Sequence, residues 1–316
     1  MKERMKFEEF KNVVGESIIS WLPENFRDAR VNFQVVTKNN NLKLTGMVIM
    51  LPNKNIAPTI YLESFYEKYQ NGEEMDGILE QIAKIQLEHD TDLEFDTKSV
   101  TELERCKDKI FPRLISTEWN RDILETCPYV EMEDLAVVFY IDLSADERGR
   151  MSIKIHNGLM EMWNLTVEEL YEISVSNLQK EHSGTFRAMN EVVAEMMLTD
   201  VIEEYDGDVE EAKRMVEAMM PENNVMYVLS NESKVHGASI ILDNEMMERV
   251  IDRVGEDFYI LPSSIHELLV VPANSHMKIE ELKNMVYEVN TTQVAMEERL
   301  SNNVYRYNLI KGIQIA

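Results

Sequence analysis

The chain has 316 residues, 44% apolar and 28% charged, so it holds ample material for a core and is not a disordered acidic tail. Its 32 basic and 58 acidic side chains leave a formal charge of −26. That balance excludes a nucleic-acid binder, which needs cations to displace counterions from phosphates, and a protein drawn to an anionic membrane surface.

The longest unbroken apolar run, Leu135 to Ile141, is seven residues long, against the ~20 needed to span a bilayer. The opening MKERMKFEEF carries both signs of charge with no apolar stretch behind it, so no secretory signal is expected. The two cysteines, Cys106 and Cys127, have no CxxC spacing and cannot staple a chain of this length. The expected setting is a reducing one, the cytoplasm. Twenty-one methionines can serve irregular cores and adaptable binding surfaces alike.

In chain order, Phe7, Phe10, Val13, Val14, Ile18 and Trp21 recur at helical spacing, which predicts a helix over 5–22 closed by Pro23. Val31–Thr37 and Leu42–Leu51 read as strands joined by Lys38-Asn39-Asn40-Asn41, since Asn tolerates a left-handed backbone. Ile60–Tyr69 and Glu74–His89 read as helices separated at Asn71-Gly72. Asp134–Leu143 and Met151–His156 read as strands about the polar turn Ser144–Arg150. Helical segments Asn157–Trp163 and Thr166–Leu178 follow, the second opened by a capping box from Thr166 to Glu169. Asn224–Leu229 and Val235–Leu242 read as a third strand pair with helix Asn244–Val254 behind it. Phe258–Pro262 and Glu267–Val271 read as a fourth, with helix Lys278–Val289.

This recurrence predicts an α+β fold of repeated strand-turn-strand-helix units, with antiparallel sheets covered by helices. A doubly wound parallel sheet is disfavoured, because it needs a helix after every strand. The expected organisation is an N-terminal α+β lobe over 1–182, an acidic Met-rich helical connector or lid over 183–222, and a C-terminal α+β lobe over 223–316. Val304–Asn308 reads as a tail strand that either completes a sheet or pairs with a second copy as an edge, making a homodimer.

The charge is uneven. Residues 1–60 carry nine basic and six acidic groups, whereas 61–104 carry three and thirteen, and 195–222 carry two and ten. The two acidic windows coincide with helical patterns, and solvated outer helix faces explain them simply. The sharper reading is a pair of acidic surfaces that dock a protein partner.

Motifs for cofactor and metal chemistry are incomplete. No two glycines stand two residues apart, which excludes a dinucleotide loop. Gly72 and Gly77 have the phosphate-loop spacing, but Ile78 stands where its lysine belongs. His266-Glu267 opens like a zinc-protease helix, yet Val270 occupies the second histidine position. Asp206-Gly207-Asp208 would place Ile202 at the first ligand of a calcium loop. Asp96-Thr97-Lys98 has the carboxylate-x-lysine element of many nucleases, which the net charge opposes. No cofactor and no metal is expected.

One segment stands apart. Between two apolar runs, Ser263, Ser264, His266 and Glu267 gather at a turn, where buried flanks would hold a nucleophile, a base and an orienting carboxylate together. Against this, adjacent His266 and Glu267 point to opposite faces of a strand, and serines commonly cap their own turn. The segment is therefore a candidate binding turn, and only secondarily a catalytic one.

The stretch Tyr259-Ile-Leu-Pro-Ser-Ser-Ile-His-Glu267 is also similar to a motif of a family of unknown function found in gut clostridia, numbered 5688 among such domains. Asn55-Ile-Ala-Pro-Thr-Ile-Tyr-Leu62, Asp134-Leu-Ala-Val-Val-Phe-Tyr140, Met226-Tyr-Val-Leu-Ser-Asn231 and Val289-Asn-Thr-Thr-Gln-Val-Ala295 resemble further segments of it, in the same order over nearly the whole chain. The resemblance implies a bacterial, intracellular protein of one architecture from end to end. It brings no activity, cofactor or catalytic residue with it. Its Ser-Ser-x-His-Glu element favours a binding role for Ser263–Glu267. Two functions follow as expectations: a non-enzymatic binding or regulatory protein with a protein partner, or a small-molecule hydrolase or transferase at that turn.

Overall fold

The computed structural model describes residues 4–90, 96–146, 149–204, 209–219 and 226–316. Every strand pairing with a defined register is antiparallel, and helices accompany three sheets, so the α+β expectation holds. The chain divides into two compact units, Met1–Glu102 with Ser144–Met151, and Leu103–Leu143 with Ser152–Ala316.

In the first unit, helix α1 (Phe7–Ser17) continues through a 3-10 turn, Ile18–Trp21, and stops before Pro23. Its buried face, Phe10, Val14 and Ile18, matches the helical spacing read from sequence. Strands β1 (Arg30–Thr37) and β2 (Lys43–Met50) form the predicted hairpin. Asn40 and Asn41 take left-handed conformations in its connection, as their short polar side chains allow. Strand β3 (Thr59–Tyr61) adds to β2, and helix α2 (Glu63–Gln70) starts only after it. This corrects the helix expected over Ile60–Tyr69. Leu62 N–H bonds Thr45 O at 3.1 Å, and Glu63 accepts the Thr45 N–H at 2.6 Å, so pairing with β2 overrides helical spacing until Leu62. Helix α3 (Met75–His89) and the short α4 (Lys98–Thr101) follow. Phe10, Met47, Ile49, Ile60, Ile78 and Ile82 share one core.

The second unit contains strands β4 (Ile110–Ser116) and β5 (Tyr129–Met132), β6 (Leu135–Asp146) as far as Leu143, and β7 (Gly149–Lys154) from Ser152 onward, with β6 between β4 and β5 and also paired to β7. The sequence pattern marks neither β4 nor β5. The one carries Pro112 and Arg113 and is buried along nearly its whole length, which erases alternation, and the other is four residues long. Helices α5 (Arg121–Leu124), α6 (Asn157–Met162) and α7 (Val167–Glu181) come from the same stretch of chain; α7 packs against β4, and Ile123 of α5 shares a core with Ile115, Ala136 and Val138. The capping box at Thr166 is present in both directions, at 3.2 and 2.8 Å.

The largest sheet has six strands in the order β13-β12-β10-β11-β9-β8. They are β8 (Gly184–Ala188), β9 (Tyr227–Asn231), β10 (Asp257–Leu261), β11 (Leu268–Pro272), β12 (Tyr305–Asn308) and β13 (Gly312–Ile315). Helices α8 (Met189–Glu204) and α9 (Val209–Met219) lie between β8 and β9 in the chain, α10 (Asn244–Val254) precedes β10, and α11 (Ile279–Thr292) follows β11.

Three expectations change here. Residues 237–242 form a buried 3-10 helix rather than the strand expected over Val235–Leu242. Lys234 and His236 both sit at φ 54°, which turns the chain away from β9 before a hairpin can form. Strand β9 pairs instead with β11 and with β8, the latter within the stretch expected to be a helical connector. The units divide after Glu102 and on either side of Ser144–Met151 rather than at 183–222, and β8 is a strand of the same sheet as β9. Finally, the tail strand is interior: β12 pairs with β10 on one side and β13 on the other, so it offers no edge for a second copy. Asp206-Gly207-Asp208 lies outside the described residues.

Asp134 ties the two sheets of this unit together. It accepts from Tyr305 Oη and Ser301 Oγ, both at 2.6 Å, and from Asn303 Nδ2 at 3.0 Å. Burial, then the hydrogen bond and charge of Asp134, holds the Tyr305 phenol far above its ordinary range.

Candidate functional site

The turn Ser263–Glu267 joins β10 to β11, as expected, and its polar groups are largely directed at backbone. Ser263 N–H bonds Leu261 O at 3.0 Å, and Ser264 N–H bonds Glu267 O at 3.2 Å, closing the turn. The buried Ser264 accepts the His266 N–H on its Oγ at 3.0 Å. This is the local serine capping that competes with any nucleophilic role.

His266 is held from two other segments. Its Nδ1 accepts the backbone N–H of His236 at 3.2 Å, and its carbonyl accepts from Ser230 Oγ at 2.8 Å. Because Nδ1 accepts, the ring proton of neutral imidazole sits on Nε2, which faces Glu298 Oε1 at 3.4 Å. The His266 side chain is 28% exposed, so solvent reaches it. The His236 and His266 rings lie 5.7 Å apart, centroid to centroid, tilted by 32°.

Local sequence explains how His236 reaches this place. Asn231 acts as a clasp, donating to Val235 O at 2.9 Å and accepting the Val235 N–H at 3.2 Å. Two left-handed residues then swing the chain onto Gly237. A Cβ at Gly237 would lie 2.5 Å from His266 O and 2.7 Å from Asn231 N, so only glycine fits.

The structure thus brings Ser264 and His266 together, but through the His266 backbone. No hydrogen bond joins the imidazole to either serine among the described residues. The one lone pair of the neutral ring is engaged by His236, which leaves it no base for a hydroxyl proton. The carboxylate beside the ring is Glu298, on a 3-10 turn (Met296–Glu298), rather than the adjacent Glu267. Sequence reasoning missed Glu298, His236 and Ser230. A pairing across thirty residues has no spacing signature, although Gly237 was a visible sign of close approach.

Other candidates resolve locally. Asp96 Oδ1 accepts the Lys98 N–H at 3.0 Å at the start of α4, a capping role. Among the described residues, no group of three or more His, Cys, Asp or Glu side chains is placed to hold a metal ion. A surface depression lined by Glu118, Arg121, Glu125, Tyr129 and Glu131, among others, lies at α5 and β5 and includes no residue of the turn. No helix among the described residues is long and apolar enough to cross a membrane.

The α8–α9 pair differs from all of these. Helix α8 carries Met189, Val192, Val193, Met196, Met197 and Leu198, yet no residue of α8 whose burial is described is buried. Met196 is 65% exposed, and Val209 and Met215 of α9 are also exposed. Glu191, Glu195 and Glu210 stand exposed among them, with Glu195 paired to Arg187.

Comparison with known families returns one match. The profile of the family described as "Family of unknown function (DUF5688)" matches residues 7–309. No curated protein matches the chain, and no solved structure matches it.

Proposed function

The chain belongs to the DUF5688 family of unknown function, and from that premise we propose that it is a non-enzymatic binding or regulatory protein with a protein partner. The observation that carries this reading is the α8–α9 pair, where exposed methionines and a valine stand among exposed glutamates. Methionine's flexible, polarisable side chain suits a surface that adapts to a partner's apolar face. The acidic surround favours a basic amphipathic segment and speeds its encounter. Residues 195–222, with ten acidic groups against two basic, supply the same field along the chain. Two buried cysteines, Cys106 and Cys127, fit a reducing cytoplasmic setting for it.

The test is affinity purification with the full chain at low and high salt, beside a Met196→Glu/Met215→Glu variant. A partner held at low salt, released at high salt and lost to the variant supports the reading. Retention of the same proteins by chain and variant alike removes it.

The second reading, a hydrolase or transferase at Ser263, Ser264, His266 and Glu267, draws on the half-exposed His266–Glu298 pair. It requires Nδ1 to exchange the His236 N–H for a serine hydroxyl. Hydrolysis of an ester or amide substrate that disappears in both His266→Gln and Ser264→Ala would establish it.

A further inference from the structure

Sheet edges expose unpaired N–H and C=O groups, and folded proteins blunt them with charges, prolines, short lengths or covering segments. Most edges here show such a device. Strand β3 has three residues, and β5 has four with Glu131 among them. Strand β4 carries Pro112 and Arg113, and β8 carries Arg187 beside α10. Strand β13 has four residues, and its Ile315 N–H is taken by the Glu133 carboxylate at 3.3 Å. Beyond Arg30 at its first position, the outer edge of β1 has none of these. It runs for eight residues, and Val31–Thr37 contains no charge, proline or glycine. Among the described residues β1 pairs only with β2.

The groups on that edge follow from the register. Lys38 N–H bonds Leu42 O at 2.8 Å to close the hairpin, so the even-numbered residues of β1 bond to β2. Val31, Phe33, Val35 and Thr37 therefore direct their backbone groups outward. Their side chains share the core-facing side of the sheet, where Val31 and Phe33 pack on the core. Val35 lies on the same side yet is 71% exposed, an apolar residue at a core-facing position left without cover.

We propose that the β1 edge pairs antiparallel with the β1 edge of a second copy of this chain, joining two three-stranded sheets into one six-stranded sheet. Self-complementarity points to this occupant: β1 paired with itself can match Asp28 with Lys38 and Val31 with Val35 across the seam, and residues 1–60, with nine basic groups against six acidic, lie outside the two acidic windows. Charge selects the register. A twofold axis through Gln34 would set Arg30 opposite Lys38 of the second copy, which costs stability. An axis through Phe33 instead sets Arg30 opposite Val36 and brings Asp28 level with Lys38. Val31 then lies opposite Val35 of the second copy, which covers the exposed valine with a β-branched neighbour. Asn32 lies opposite Gln34 on the solvent side.

The test uses the full chain. Light scattering across a concentration series is expected to give twice the 36.9 kDa of one chain. Val35→Lys places a charge at an already exposed position, and is expected to give a single-chain mass with the wild-type far-UV circular dichroism spectrum. An Asn32→Cys/Gln34→Cys variant is expected to form a covalent dimer on mild oxidation, with little background because Cys106 and Cys127 are buried. A single-chain mass for the wild type overturns the proposal, even where an extended peptide from another protein adds to the edge. A dimer that survives Val35→Lys, or one that the cysteine pair fails to link, overturns it equally.

Discussion

The turn at His266 and the α8–α9 pair both sit in the second unit, and they handle their chemistry in opposite ways. The turn is rich in groups that suggest reactivity, yet Ser264 Oγ, His266 Nδ1 and the His266 carbonyl all have backbone or hydroxyl partners within the fold. The helical pair has little that suggests reactivity, yet it leaves Met196, Val209 and Met215 uncovered. A polar cluster with its hydrogen bonds made contributes to stability, whereas an apolar surface left open is available for association. Substitutions should therefore separate the two regions, the turn reporting on folding and the helices on binding.

The largest effect is expected at Gly237. A methyl there meets His266 O and the Asn231 backbone nitrogen, neither of which can move aside, so Gly237→Ala should cost about 3 kcal/mol in urea unfolding. A cost near zero would mean the turn is looser than its contacts imply.

Next comes His266→Ala, which strips the acceptor from His236 N–H and the partner from Glu298. It should cost about 1–2 kcal/mol and leave the salt-sensitive partner bound. Loss of the partner without loss of stability would move the binding site to the turn.

A third test concerns the same unit at alkaline pH. The native state keeps the Tyr305 proton far above the ordinary range, so the unfolded chain releases that proton first. The contribution of Tyr305 is thus fully present below about pH 10, where the phenol is protonated in both states, and falls as pH rises beyond it. Burial pushes Tyr140 up to about 12 in the same direction. Tyr305→Phe should flatten the alkaline decline measured by urea titration at several pH values.

The smallest effect on folding is expected at Met196, where Met196→Ser should change stability by less than about 0.5 kcal/mol while weakening partner capture. A larger cost would show that α8 is covered in solution.

Legibility in the sequence followed the range of the interactions involved. The β1–β2 hairpin and the Thr166 capping box were readable because each closes within a few residues. The turn itself was readable for the same reason, as Ser263–Glu267 lies between two apolar runs that do become paired strands. What the turn does with its side chains was not. Glu298 and His236 approach His266 from positions 32 and 30 residues away in the chain, and no local pattern encodes that meeting. Residues 237–242 resemble a strand in sequence because all six are buried, so the alternation that separates a strand from a helix is lost. Strand β8 was hidden by the acidic, Met-rich composition that follows it.

The first compact unit includes Ser144–Met151 as well as Met1–Glu102. During synthesis, a ribosome that has released Glu102 has not yet made all of that unit, and must add the whole of β4 and β5 before supplying the rest. The amino-terminal part therefore stays incomplete while roughly fifty further residues emerge, and the two units become whole in an overlapping rather than a sequential order. A gene fragment cut at Glu102 would encode a piece lacking the last segment of its unit.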